Sequence, residues 1–189
     1  MKILPFKIPK PLNDSIIYQI DFDDAFYNKL HQHEELQLSL IIEGKGTLIV
    51  GDTVNYYKPG DVIILGSNLP HVFKSDLNTS KKSHMITLFF HKNGFGKQFF
   101  ELEELKELQP FFKKSAQGFK VTTSKKRINT LFLDLENVSK LTRFIILLEI
   151  VIFSLHSILG VILKYLCLEL SDFYKKKLYI LEKTSIRSY

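Results

Sequence analysis

Up to residue 92 the chain is a succession of short apolar runs divided by turn residues. Leu36-Gln37-Leu38-Ser39-Leu40-Ile41-Ile42 alternates apolar and polar positions for most of its length, the pattern of a half-buried strand. Glu43-Gly44-Lys45-Gly46 predicts a tight connection, and Thr47-Leu48-Ile49-Val50 the return strand of a hairpin. Gly51-Asp52 turns into Thr53 to Tyr57, and Lys58-Pro59-Gly60-Asp61 turns into Val62-Ile63-Ile64-Leu65. Ser15 to Ile20 opens this series; Pro70-His71-Val72-Phe73 and His84 to His91 close it. Many short turn-bounded strands with no helical period between them predict an antiparallel barrel or jelly roll. Residues 75–83 are polar and read as a loop, and the proline-punctuated residues 1–14 as an extended arm lying on the domain.

After Asn93 the period changes. Phe99-Phe100, Leu102, Leu105 and Leu108 fit an amphipathic helix ended by Pro110. Ser124 is placed to cap a second helix presenting Ile128, Leu131, Phe132 and Leu135. Ser139 is placed to cap a third, carrying Leu141, Phe144, Ile145, Leu147 and Leu148. The stretch Phe144 to Leu163 is almost wholly apolar, and its length would suffice to cross a bilayer. Glu149 within it costs roughly 2–3 kcal/mol on insertion scales. Burial against the domain or in a dimer seam is therefore expected, and a membrane span is not. The resulting class is mainly β with C-terminal α: a β-barrel with its arm over residues 1–92, a helical dimerisation appendage over 93–150, and an apolar, then basic tail over 151–189.

A chain of 189 residues suits one domain with an appendage. The formal net charge of +6 reads as a solvated lysine-rich surface, since basicity alone specifies no partner. Cys167 is the single cysteine, so no intramolecular disulfide is available. With no apolar leader-like run at the N-terminus, a cytoplasmic location is expected.

Two histidines at i and i+2, His31 and His33, project from one face of a strand. His71, from a later strand, is positioned to join them. Three neutral imidazoles on a rigid scaffold suit zinc, iron, nickel or copper. A metal-free polar pocket is the expectation, with a bound metal as the alternative. Gln37 stands where a carboxylate would complete a metal set; its amide is neutral and suited to hydrogen-bonding a ligand hydroxyl, as of a sugar. His84, His91 and His156 lack partner spacing and read as structural or surface residues. There is no glycine-rich phosphate loop in a strand-to-helix context and no GxSxG elbow. Glu101, Glu103, Glu104 and Glu107 near Lys106 read as a solvated helix face.

His31, His33, Gln37 and Gly44 hold the spacing of the first cupin motif, with glutamine in place of the acid; Pro59-Gly60-Asp61 and His71 match the second. The run His31 to Phe73 more narrowly resembles the effector-binding domain of AraC-type transcription regulators. The helices that follow, to Ile150, are similar to those after the barrel in that family. The resemblance covers residues 1–150. It implies a cupin-like double-stranded β-helix (a jelly-roll barrel) followed by packed helices. It also implies a non-catalytic, cofactor-free sensor for a small polar effector. His31, His33, Gln37 and His71 would hydrogen-bond the effector, with Tyr56, Tyr57 or Phe73 adding apolar contact. The expected partners are a second copy or a full-length relative. After Ile150 no paired helix-turn-helix pattern follows, so the regulator is expected to be truncated before its DNA-binding domain, without specific DNA binding. The alternative is a metal-dependent cupin enzyme, a dioxygenase or isomerase, with His31, His33 and His71 ligating a divalent transition metal.

Overall fold

The computed structural model describes residues 2–11 and 14–160. Among the described residues, ten strands form two five-stranded sheets. The first contains β1 (Leu4–Pro5), β3 (His31–Gln32), β8 (His71–Ser75), β5 (Gly46–Val50) and β6 (Thr53–Tyr57), in that spatial order. The second contains β10 (Phe119–Lys120), β7 (Val62–Leu65), β4 (Leu36–Glu43), β9 (Ser83–Phe90) and β2 (Ile16–Asp23). All pairings are antiparallel except that of β1 with β3. The expected mainly-β architecture with later helices is present as two antiparallel-rich sheets plus helices.

The second sheet is covered on both sides, which corrects the half-buried reading of residues 36–42. Leu36, Leu38 and Leu40 join Val62, Ile64, Ile86 and Leu88 in a core shared with the helices. The intervening Gln37, Ser39 and Ile41 face inward and are also buried. The polar positions of the alternation therefore point into the protein. Ile41, Ile63, Leu65 and Met85 meet Leu48, Val50, Tyr57 and Phe73 of the first sheet in a second apolar cluster, which also takes in Phe26.

Residues 99–108 depart from the expected helix. They form two 3-10 segments, Phe99–Glu101 and Glu103–Leu108, and α1 (Gln109–Ser115) begins where a stop was expected. Pro110 sits in the first turn of α1, where its missing N–H costs no intrahelical bond, so it starts a helix. β10 then returns to the second sheet, pairing Phe119 with Ile64. Ser124 occupies the N-cap of α2 (Lys125–Leu133) in a left-handed conformation, φ 54°, and its side chain makes no cap bond. Ser139 does cap: its Oγ accepts from the Thr142 N–H at 3.1 Å.

The long helix α3 (Lys140–Gly160) is apolar enough to cross a membrane by length and composition. Here it lays Ile146, Leu147, Ile150, Val151 and Leu155 into the core shared with the second sheet. Leu141, expected on the packed face, is 68% exposed, and Ile145 also faces solvent. Residue 150 lies inside this helix. Cys167 and the basic end of the chain lie outside the described residues.

The Pro59-Gly60-Asp61 turn fastens the helical layer to the sheets. Gly60 takes φ +80°, which a side chain would strain. Buried Asp61 accepts from the Lys58 N–H at 3.1 Å, Lys120 Nζ at 2.8 Å and Lys125 Nζ at 3.1 Å. Burial alone would raise its pKa, but the hydrogen bonds and charges of Lys120 and Lys125 outweigh it and hold the carboxyl below its usual range.

Candidate metal centre

The antiparallel pairing of β3 with β8 sets His31 directly opposite His71, and His33 follows two residues on. All three histidines are buried. Ring centroids lie 4.3 Å apart for His31 and His71, 5.1 Å for His33 and His71, and 6.1 Å for His31 and His33. One ring nitrogen from each falls within 4.8 Å of the others. The predicted trio is thus brought together.

Backbone carbonyls set the tautomer of each ring. His31 Nδ1 donates to Lys29 O at 2.9 Å, His33 Nδ1 to Glu35 O at 3.0 Å and His71 Nδ1 to Leu69 O at 2.8 Å. Each imidazole spends its proton on the main chain and leaves Nε2 with a free lone pair, the orientation metal-ligating histidines use. Burial pushes the His71 pKa down to about 3 and lowers that of His31, so both rings stay neutral at ordinary pH.

Gln37 stands beside them on β4. Its Oε1 lies 3.1 Å from His33 Nε2, and its Nε2 donates to Ser39 Oγ at 2.9 Å; Ser39 and Thr87 hydroxyls share a further bond at 2.8 Å. With the His33 proton on Nδ1, two acceptors face each other across 3.1 Å. A turned amide satisfies that contact by itself, and a shared cation would satisfy it while also using the His31 and His71 nitrogens. The donor set therefore fits a metal. It is neutral, since Gln37 brings no charge; the nearest carboxylate to a ring is Glu35, with Oε2 3.8 Å from His33 Nδ1.

These residues lie at one end of a cavity of about 730 Å³. Phe73 lines it as expected, packed on His71. The structure does not bring the two tyrosines there. Tyr57 is buried beneath the cavity, its ring on Phe26 and Phe73 and its hydroxyl 3.1 Å from Ser75 Oγ. Tyr56 is 76% exposed on the edge strand β6. Neighbours in a strand face opposite ways, so both could not have served.

Sequence reasoning missed much of the wall. Gln19 and Asp21 of β2 line it, and their alternation with Tyr18 and Ile20 was the available signal. Phe6 and Ile8 also line it: the arm pairs with β3, the Phe6 N–H donates to Gln32 O at 2.9 Å, and its ring packs 5.2 Å from His31. A two-residue parallel pairing leaves no periodic trace.

Residues 24–89 match the cupin domain family, and this segment is a cupin domain. Similar solved structures include a mutant oxalate decarboxylase from Bacillus subtilis, at 20% identity and TM-score 0.31, covering 34% of this chain and 18% of that one. A cupin 2 conserved barrel domain protein from Rhodopseudomonas palustris shows 18% identity and TM-score 0.36 over 44% of this chain and 57% of its own. A candidate mannose-6-phosphate isomerase from Ralstonia eutropha shows 8% identity and TM-score 0.36, over 41% and 75%. The chain thus spans less than a fifth of the decarboxylase and just over half of the barrel protein. No curated protein matches it by sequence. These findings support the cupin part of the expected resemblance, and none indicates an AraC-type regulator. The expectation of a non-enzymatic chain is corrected: three buried imidazoles converge at a cavity, grouped closely enough to hold a metal ion.

Proposed function

We propose that the cupin domain of this chain is a metal-dependent enzyme of dioxygenase or isomerase type. His31, His33 and His71 hold a divalent transition metal, with Gln37 beside them, and the two sheets form the halves of a jelly-roll barrel around the site. The observation that carries this reading is the commitment of all three Nδ1 protons to backbone carbonyls, which leaves three converging Nε2 lone pairs. A metal so held supplies Lewis acidity toward an oxygen donor entering from the cavity.

The chain's own residues do the rest. Phe89 packs edge-on against His33, and Phe6 and Tyr27 pack against His31, fixing two rings. The Gln37–Ser39–Thr87 chain of hydrogen bonds holds the amide so that its oxygen faces His33.

Elemental analysis of the purified full chain, after loading with Mn(II), Fe(II) or Zn(II) and removal of excess, tests the proposal. About one metal per chain is expected, falling below a tenth in His33→Ala and His71→Ala, which leave no third imidazole. A folded wild-type chain that retains none of these metals sinks it.

A further inference from the structure

The cavity is polar at two separate places, and only one of them is the histidine cluster. Along β9, Phe89 is level with Gln37, and Met85 is level with Asp21 of β2. Four residues of strand separate these levels, about 13 Å along the sheet. Between and around them the walls are apolar, with Phe26, Phe73, Met85 and Phe89 lining the space.

The charge of this wall runs against that of the chain. The sequence carries 26 Lys and Arg against 20 Asp and Glu, yet among the described residues no Lys or Arg lines the cavity, whereas Asp21, Asp23 and Asp24 do. Asp24 is paired with Lys82 at 2.6 Å. Asp21 is not paired with any cation among the described residues. It is half-buried, and Gln19 Nε2 donates to its Oδ1 at 2.7 Å, which leaves Oδ2 for another donor. Burial raises the Asp21 pKa, the signature of a carboxylate lacking a counter-charge. A dicarboxylate or a phosphorylated sugar would find no cationic side chain here.

We infer that the cavity takes an elongated amine-bearing molecule: an oxygen-donor head at the histidines, an apolar or aromatic body, and a protonated amine anchored on Asp21. The head end rests on the metal reading above; the amine end does not. An ammonium group would meet the free oxygen of the Asp21 carboxylate at this end of the cavity.

The test uses three small phenols, tyramine, 4-ethylphenol and 4-hydroxyphenylacetate, whose short para tails are cationic, neutral and anionic. Their affinities are measured by calorimetry on the full chain, after chelation and again after Mn(II) loading. Tyramine is expected to bind the chelated chain about tenfold more tightly than 4-hydroxyphenylacetate. Asp21→Asn should erase the preference of tyramine over 4-ethylphenol, and Asp21→Glu should keep it, with unchanged melting showing that each variant folds. Equal affinity for acid and amine, an undiminished preference in Asp21→Asn, or no binding of any of the three at millimolar concentration overturns the inference. If the amine preference and its loss in Asp21→Asn appear in a chain that holds no metal, the metal reading falls and the amine site stands. If Mn(II) binds and tail charge makes no difference, the reverse holds.

Discussion

The two faces of the second sheet are made by alternate residues of the same strands and are buried alike. Leu38 and Ser39 are adjacent and both wholly inaccessible. Leu38 faces the helices, in the apolar cluster that includes Ile64, Leu88, Phe111 and Phe132. Ser39 faces inward, between the Gln37 amide and the Thr87 hydroxyl. Burial therefore does not separate scaffold from site in this domain. The separation lies in what the buried group needs: a methyl group needs only packed neighbours, whereas a buried hydroxyl or amide must find a directed partner or bear its desolvation cost. The inner face accepts that requirement along a continuous stripe, and the stripe ends at the three imidazoles.

Substitutions that act on one face and spare the other expose the contrast. The largest effect is expected on the outer face. Phe132→Ala removes a fully buried ring from the core under α2 and should cost about 3–5 kcal/mol in denaturant unfolding. Its metal stoichiometry should stay at the wild-type value wherever the chain is still folded; parallel loss of both would show that the faces are not separable. On the inner face, Ser39→Ala strands the Gln37 donor and the Thr87 hydroxyl and should cost about 1–3 kcal/mol. Unlike Phe132→Ala, it should also weaken metal retention, because the amide loses the bond that turns its oxygen to His33.

The smallest effect concerns the ionic tie between the layers. Asp61 has a folded-state pKa below its unfolded value, so its contribution is present above the ordinary carboxylate range and is lost as pH falls through the depressed folded value. With both lysines about one-third exposed, roughly 1–2 kcal/mol is expected. Asp61→Asn should flatten the decline of stability between neutral and strongly acid pH. An unchanged acid limb in that variant would show that the ion pairs add nothing.

What the sequence by itself determined is local. Strand positions from Leu36 to Phe90 were legible because alternation and turn residues such as Gly44 and Gly60 act over a few neighbours. The i, i+2 spacing of His31 and His33 likewise put both rings on one side whatever the fold. One face of the α3 apolar run packs into the core, but which face it is was not legible, and Leu141 and Ile145 are exposed, since a helix with apolar residues on several faces does not announce which one packs. Only the tertiary structure decided that Gln37 and Ser39 point inward, because the alternation of a strand is the same whether its polar side meets water or a cavity. Only the tertiary structure put His71 opposite His31, excluded Tyr56, and brought Phe6 and Asp21 to the wall. These are pairings between distant segments, and they depend on which strand lies beside which.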